Sequence, residues 1–162
     1  MKMASPSELD RLKDLYLQTT KHSHYQRMPQ FLEGSIDPTS LGKRFDRYDE
    51  QRLDYFTRKL DFRGKKILDI GANTGYFTFE SIERGAQEVV SYEGSANHAE
   101  FLRLSAETFR KNVKVRKEML DFNTPIPDAP FDIVLLLNVL HHVGDDFGEP
   151  LPNVAAAQRK II

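Results

Sequence analysis

The sequence predicts an α/β fold with a doubly wound, mainly parallel sheet and an N-terminal helical extension. Short apolar runs of strand length alternate with longer segments of helical periodicity, which is the order that parallel strands require. The run at residues 67–70 stops at a glycine, and residues 133–137 are apolar throughout, as in a central strand. With 162 residues, the chain is long enough for one domain with a well-formed core.

Composition and charge exclude several classes of protein. The chain has no cysteine, so disulfides and thiolate zinc sites are excluded, and we expect a cytoplasmic protein. No apolar run reaches membrane-spanning length and the N-terminus lacks the apolar core of a signal peptide, so we expect no membrane partner. The net charge of −1 gives no overall electrostatic case for nucleic-acid binding. Lys and Arg are concentrated before the first strand, where they face either solvent or an anionic substrate.

Two helices are expected before the first strand. Residues 5–8 have the pattern of a capping box with proline at the first helical position. Leu9, Leu12, Leu15 and Tyr16 follow at helical spacing, so residues 6–20 are expected to form an amphipathic helix. The second helix, residues 49–60, carries Leu53, Phe56 and Leu60 on one face.

Residues 22–42 lie between these helices, and their prolines and glycines predict loops or short turns. His22 and His24 have no acid or third histidine at a metal-ligand spacing, so surface histidines are favoured over a metal site. We assign residues 1–45 to an N-terminal helical extension or lid and residues 46–162 to the α/β domain.

Residues 65–93 predict a β-α-β unit. Its strand, glycine turn, helix and second strand lie at residues 67–70, 71–75, 76–83 and 88–92. Such a unit places a nucleoside-like ligand over the strand ends, because the backbone approaches closely at Gly71 and Gly75 and the carboxylate of Glu93 can accept from two ribose hydroxyls. The dinucleotide fingerprint requires a third glycine where Tyr76 stands, so a nicotinamide-dependent oxidoreductase is disfavoured.

The spacing Asp69-x-Gly71-x-Asn73-x-Gly75 resembles the first motif of class I S-adenosylmethionine-dependent methyltransferases. That family usually has glycine at the middle position, and asparagine is a mild departure because it tolerates positive φ better than other non-glycine residues. Glu93 matches the family's ribose-binding acid. The resemblance covers residues 65–145 and implies a Rossmann-like fold, S-adenosylmethionine as cofactor and S-adenosylhomocysteine as product.

The resemblance also implies which residues contact the cofactor. The glycine turn approaches its amino-acid end, Asp69 its ammonium group and Glu93 its ribose. An acid after the third strand contacts the adenine amino group in the family, and Asp121 is the candidate, with a turn aspartate as the alternative because loop-forming residues follow. The expected cofactor-binding residues are Asp69, Gly71, Ala72, Asn73, Gly75, Tyr76, Glu93, Gly94, Leu120, Asp121, Phe122 and Asn138.

The fourth strand leads into Asn138, at the position of the family's fourth motif. Catalytic groups gather at the carboxyl ends of strands in open α/β sheets, so His141 and His142 are candidates for a catalytic base or a substrate-orienting group. The alternative is structural: one histidine caps the loop and the other packs under the following helix. No nearby acid completes a metal site, so we expect no metal.

The methyl acceptor stays open between a small molecule and RNA. Relatives that methylate exocyclic amines of DNA bases or glutamine side chains tend to carry Asn/Asp-Pro-Pro-Tyr/Phe at the fourth motif, whereas this chain has Asn-Val-Leu-His at residues 138–141. That form is closer to small-molecule methyltransferases and to some enzymes acting on tRNA wobble uridines. We expect methyl transfer to an O or N nucleophile; the alternative is an inactive module that binds the cofactor or a partner.

The resembled family has seven strands in the order 3-2-1-4-5-7-6, and this sequence supplies four strands and a further helical segment at residues 153–162. The fold is therefore expected to be truncated after the fourth strand and its helix, which leaves an apolar sheet edge. Three explanations fit: the chain is a fragment of a longer protein, a partner or second copy covers the edge as a homo-oligomer, or this is a short, inactive relative.

Overall fold

The computed structural model describes residues 4–18, 26–36, 48–122 and 124–137. Within them, four parallel strands form one sheet in the order β3-β2-β1-β4. The strands are β1 (Lys66–Ile70), β2 (Glu88–Tyr92), β3 (Val113–Arg116) and β4 (Ile133–Leu136). The order reverses at β1, because the chain runs outward through β2 and β3 and then returns to the other side of β1. The predicted α/β, Rossmann-like fold with a parallel sheet is confirmed.

Five helices lie in the same described ranges. They are α1 (Pro6–Leu17), α2 (Gln30–Glu33), α3 (Asp49–Lys59), α4 (Tyr76–Glu83) and α5 (Ala96–Thr108). The predicted capping box of α1 is confirmed, since Ser5 and Glu8 exchange side-chain and backbone hydrogen bonds. None of these helices has the length and hydropathy needed to span a membrane.

The stretch predicted to form loops or short turns contains α2, a single helical turn. Its Leu32 is fully buried. A helix of four residues is too short to show a hydrophobic period, so packing rather than sequence pattern reveals it. His22, His24 and the predicted helix at residues 153–162 lie outside the described residues.

One face of the sheet is covered by α3, α4 and α5. Strand residues Ile67, Val89 and Leu135 form a buried cluster with Leu53 of α3 and Phe77 of α4. Farther along this face, a second cluster joins α5 to α4 and to β3 through Ala72, Phe79, Leu102 and Ala106, with Val113 and Val115 against it. Each such fully buried large side chain contributes about 1.5–3 kcal/mol to folding.

The opposite face is covered, within the described residues, by the connection from β3 to β4. Alternate strand residues point to this side, and they form a cluster with Phe122 of the connection: Leu68, Ile70, Val90 and Tyr92. Asp128 secures the connection, since its carboxylate pairs with Arg116 at 2.7 Å and with Lys114 at 3.2 Å.

The N-terminal extension shares a core with α5. Leu12 and Tyr16 of α1 pack with Phe101 and Leu104 of α5. Residues 26–36 contribute to the same cluster through Met28, Leu32 and Ile36.

Two polar contacts join the extension to α4. The buried carboxylate of Glu80 accepts from the backbone N–H of Gln30 at 3.1 Å and pairs with Arg84. The side-chain oxygen of Gln26 accepts from the backbone N–H of Tyr76, the first residue of α4, at 3.1 Å. The extension therefore reaches the amino end of α4, directly beside the turn that follows β1.

Candidate functional site

The candidate site lies at the carboxyl ends of β1 and β2, beside the point where the strand order reverses. Open α/β sheets bind ligands at such a place, because the connections of neighbouring strands leave on opposite faces and open a crevice. Ile70 and Tyr92 are paired at the ends of β1 and β2. The turn at residues 71–75 and Glu93 therefore emerge side by side.

The turn has three residues with positive φ: Gly71 (72°), Asn73 (52°) and Gly75 (87°). Asn73 thus adopts the left-handed conformation that a glycine usually provides at the middle of this motif. The positive φ of Asn73 agrees with the expectation that asparagine is tolerated at this position of the turn.

Gly75 has no room for a side chain. A Cβ atom built there would lie 2.3 Å from Cδ2 of Leu102 and 3.0 Å from the ring of Phe79. The absence of a Cβ lets α5 and α4 pack directly against the turn, which fixes the turn's position over the sheet.

Every backbone N–H group of the turn donates to an acceptor within the protein. Six consecutive amides donate within the protein: Gly71 and Ala72 to the carbonyl of Tyr92, Asn73 to the carboxylate of Glu93, Thr74 to the side chain of Asn73, Gly75 to the carbonyl of Ala72, and Tyr76 to Gln26. A pyrophosphate site needs such N–H groups to point at the ligand. This bonding is a second argument, independent of the size of Tyr76, against a nicotinamide dinucleotide.

Glu93 points toward the turn. One carboxylate oxygen accepts from the backbone N–H of Asn73 and the other from that of Ser95, both at 2.7 Å. Burial raises the pKa of Glu93, but interactions with the His98 imidazole and with these two N–H groups outweigh burial and hold the pKa below its ordinary value. Each oxygen of an ionised carboxylate has a second lone pair, so Glu93 can accept two further hydrogen bonds. Its contact with a ribose stays a prediction.

Asp69 lies beneath α4. Its carboxylate accepts from the hydroxyl of Thr78 at 2.6 Å, and that hydroxyl is also 2.8 Å from the hydroxyl of Ser91. Burial raises the pKa of Asp69 to about 6; the Thr78 hydrogen bond opposes this shift and the charge of Glu93 adds to it. The predicted contact of Asp69 with an ammonium group stays a prediction, and the contacts observed here are with α4 and β2.

The ends of β2 and β3 bring Gly94 and Met119 together. A Cβ atom at Gly94 would lie 2.5 Å from Sδ of Met119, whose side chain is 59% exposed. The prediction from sequence did not include Met119 and selected instead the three residues that follow it, Leu120, Asp121 and Phe122. A usable signal was the glycine that follows Glu93, because a residue without a Cβ leaves space for a side chain from the adjacent strand end.

Asp121, the predicted adenine contact, and its two neighbours in the expected cofactor-binding set separate in the structure. Phe122 is buried in the cluster below the sheet, Leu120 packs against that cluster, and Asp121 is exposed. Their contact with a cofactor stays a prediction.

Tyr76 places its backbone, rather than its side chain, at the turn. The ring is fully buried and packs edge-on against Phe77 at 5.2 Å. Burial raises the pKa of its hydroxyl, which has no hydrogen-bond partner among the described residues. The hydroxyl of Thr74, in the turn, is likewise buried and unpaired within the described part of the chain.

The remaining predicted site residues, Asn138, His141 and His142, lie outside the described residues. In the part of the chain that the structure describes, no three His, Asp or Glu side chains converge on a common metal position.

A family model described as a methyltransferase domain matches residues 67–159, more than half of the chain. The chain belongs to this methyltransferase family. The match begins within β1 and includes the turn, Glu93 and the segment that contains the two predicted catalytic histidines.

Curated relatives of this methyltransferase domain include two kinds of enzyme. A ubiquinone biosynthesis O-methyltransferase of Xylella fastidiosa is 26% identical over 140 residues, which are 86% of this chain and 55% of that protein. A tRNA U34 carboxymethyltransferase of Campylobacter hominis is 32% identical over 87 residues, which are 53% of this chain and 30% of that protein. The chain thus spans about half the length of the first relative and less of the second.

Solved structures agree in fold. WbdD, described elsewhere as a bifunctional kinase-methyltransferase, superposes with a TM-score of 0.62 at 22% identity, over 82% of this chain and 29% of that chain. The YcgJ protein of Bacillus subtilis gives a TM-score of 0.53 at 23% identity, over 69% of this chain and 46% of that chain. At these identities the likeness concerns the fold.

The packing at Gly75 gives a testable prediction. We expect Gly75→Ala to lower the free energy of unfolding by about 2–5 kcal/mol, because an L-residue with positive φ costs about 1–2 kcal/mol and overpacking against Leu102 adds about 1–3 kcal/mol. Gly34→Ala is the matched control, since φ is −78° there and nothing lies within 4 Å of the added Cβ. Urea denaturation followed by circular dichroism measures both. Equal effects of the two substitutions would contradict the packing described here.

The raised pKa of Asp69 predicts a pH dependence of stability. Between its usual pKa of 3.8 and the folded value of about 6, the native state binds the proton more tightly than the unfolded chain. Stability therefore falls as pH rises through this window and is level above it. Asp69→Asn removes this slope. Relative to wild type, the free energy of unfolding of the variant should therefore increase by about 2–3 kcal/mol as the pH rises from 4 to 7.

Asp61→Asn is the control with the opposite sign. The Arg63 guanidinium and backbone lower the pKa of Asp61 to about 2, so this exposed acid stabilises the fold above pH 3.8 and that contribution is lost as pH falls. Denaturant titrations at intervals of half a pH unit measure both variants. A slope unchanged in Asp69→Asn would show that Asp69 is not the group responsible.

Proposed function

We propose that this methyltransferase domain uses S-adenosylmethionine and transfers its methyl group to a hydroxyl oxygen of a small molecule. The observation that carries the cofactor assignment is the hydrogen bond of 2.7 Å between the backbone N–H of Asn73 and the carboxylate of Glu93. It places an ionised acid, with acceptor capacity left over, against a glycine turn at the switch point of the sheet.

The residues present fit an adenosine-containing ligand that lacks phosphate. Glu93 would hold the ribose through its remaining lone pairs. Gly94 and the exposed side chain of Met119 lie together at the strand ends, where they would contact the base. The buried, unpaired hydroxyl of Thr74 provides a polar contact in the turn, and the amides of the turn, which are already bonded, are not needed for an anion.

When bound, S-adenosylmethionine supplies a methyl group on a positively charged sulfur. The protein chiefly has to align the acceptor with that group and exclude water, and alignment of this kind supplies several kcal/mol of barrier lowering, up to about 7–11 kcal/mol. The turn is suited to this task because Gly75 is fixed between α4 and α5. The extension contacts α4 at two points, through Gln26 at Tyr76 and through Gln30 at Glu80.

The acceptor assignment follows from the relative that covers most of the chain, whose name describes an O-methyltransferase. A hydroxyl must lose its proton during transfer, and a histidine with an ordinary pKa of about 6.5 suits that role. We propose His141 or His142 as this base, because both follow β4, which lies beside β1 in the sheet.

Titration calorimetry with S-adenosylhomocysteine tests the cofactor. We expect binding by the wild-type chain, and Glu93→Gln should weaken it by about 30-fold, because hydrogen bonds to a charged acceptor are each worth about 1.5–3 kcal/mol. Glu107→Gln is the control, since this exposed acid lies in the last turn of the same helix that follows Glu93, and its affinity should match wild type. Failure of the folded wild-type chain to bind S-adenosylhomocysteine would overturn the proposal.

Transfer of label from methyl-tritiated S-adenosylmethionine tests the acceptor. We expect label in a panel of phenols and other small hydroxyl compounds, and none in total tRNA. Label in tRNA alone would replace the small-molecule acceptor with RNA. Binding of S-adenosylhomocysteine without transfer to either pool would favour an inactive, cofactor-binding module.

A further inference from the structure

His98 is a buried histidine beside the candidate ribose site. It is the third residue of α5 and is 5% exposed. Its Nδ1 atom lies 3.8 Å from a carboxylate oxygen of Glu93 and 3.5 Å from the side-chain nitrogen of Asn73. His98 therefore faces two residues that come from different strand ends and that are hydrogen-bonded to each other.

The apolar surroundings of α5 do not explain a histidine at this position. The neighbouring buried residues Ala99, Phe101 and Leu102 pack as hydrocarbon. An imidazole moved out of water without polar partners loses stability, whereas an aliphatic side chain of similar size would gain it. A leucine at this position would lack the polar contacts that His98 makes with Glu93 and Asn73.

The distances indicate how His98 acts. At 3.8 Å, Nδ1 is too far from Glu93 for a direct hydrogen bond, and at 3.5 Å it lies at the outer limit of hydrogen-bond distance from the side-chain nitrogen of Asn73. Each oxygen of the Glu93 carboxylate already accepts one backbone N–H. His98 adds a third polar neighbour, which lies on the α5 side of the carboxylate.

We infer that His98 is a positioning residue that orients the Glu93 carboxylate and the Asn73 side chain to receive the ribose hydroxyls of the cofactor. This inference rests on the proposed function, because it assigns a role within the same site. His98 acts through Glu93 and is not required to touch the cofactor.

Ribose selectivity provides a test that a purely structural role would not affect. Calorimetry compares S-adenosylhomocysteine with its 2′-deoxy analogue on each variant. The wild-type chain should prefer the ribose form by about tenfold, the value of one hydrogen bond to a charged acceptor. His98→Leu should bind S-adenosylhomocysteine about tenfold more weakly and prefer it over the deoxy analogue by less than about threefold.

Two amide variants test whether the effect of His98 requires a nitrogen at the position of Nδ1. The side-chain amide of Asn lies near the place of Nδ1, so His98→Asn should keep most of the ribose preference. The longer side chain of Gln carries its amide near the place of Nε2, so His98→Gln should lose the preference although it is polar and of similar size. This pair decides the question even where His98→Leu fails to fold.

Leu104→Ala is the control for general damage to α5. Leu104 is buried in the same helix but packs toward α1 and the extension. The Leu104→Ala substitution should lower the melting temperature and leave the ribose preference at the wild-type value. If the wild-type chain does not bind S-adenosylhomocysteine, the proposed function fails. If it binds with a ribose preference that His98→Leu and His98→Gln both retain, the role of His98 is overturned while the proposed function stands.

Discussion

The hydrogen bond between the backbone N–H of Asn73 and the Glu93 carboxylate is the constraint on which the site depends. It forms because β1 and β2 pair in parallel so that Ile70 lies opposite Tyr92, which brings the two strand ends to the same level. It also requires the left-handed conformation of Asn73 and an ionised acid. Sheet register, turn geometry and charge therefore all contribute to this one hydrogen bond.

Most of the fold could be predicted from the sequence because its elements have strong local signals. The bounds of β2 were predicted to the residue and those of β1 to within one residue, since their apolar runs ended at an acid or a glycine, whereas β4 begins three residues later than the predicted strand at residues 130–137. The single turn of α2 could not be predicted in this way. It is held by burial of Leu32 in the core shared with α1 and α5, and that core depends on contacts between residues far apart in the sequence.

The candidate site likewise contains residues that the sequence could locate and residues that it could not. Four residues could be located because each lies at the end of a strand, at a spacing that can be recognised in the sequence: Gly71, Asn73, Gly75 and Glu93. His98 and Met119 could not, because each becomes relevant only through a neighbour on another element: His98 through Glu93, and Met119 through Gly94. Phe122 shows the converse, since a residue near the right strand end turned into the core instead.

The self-contained bonding of the turn limits how this protein can evolve. Its amides from Gly71 to Tyr76 all donate to groups of the protein itself, so none of them is left to hold a phosphate. Recruitment of a phosphate-bearing cofactor would require freeing several of these amides, including that of Tyr76 from Gln26. Because the acceptors belong to several different residues, no single substitution would free them all.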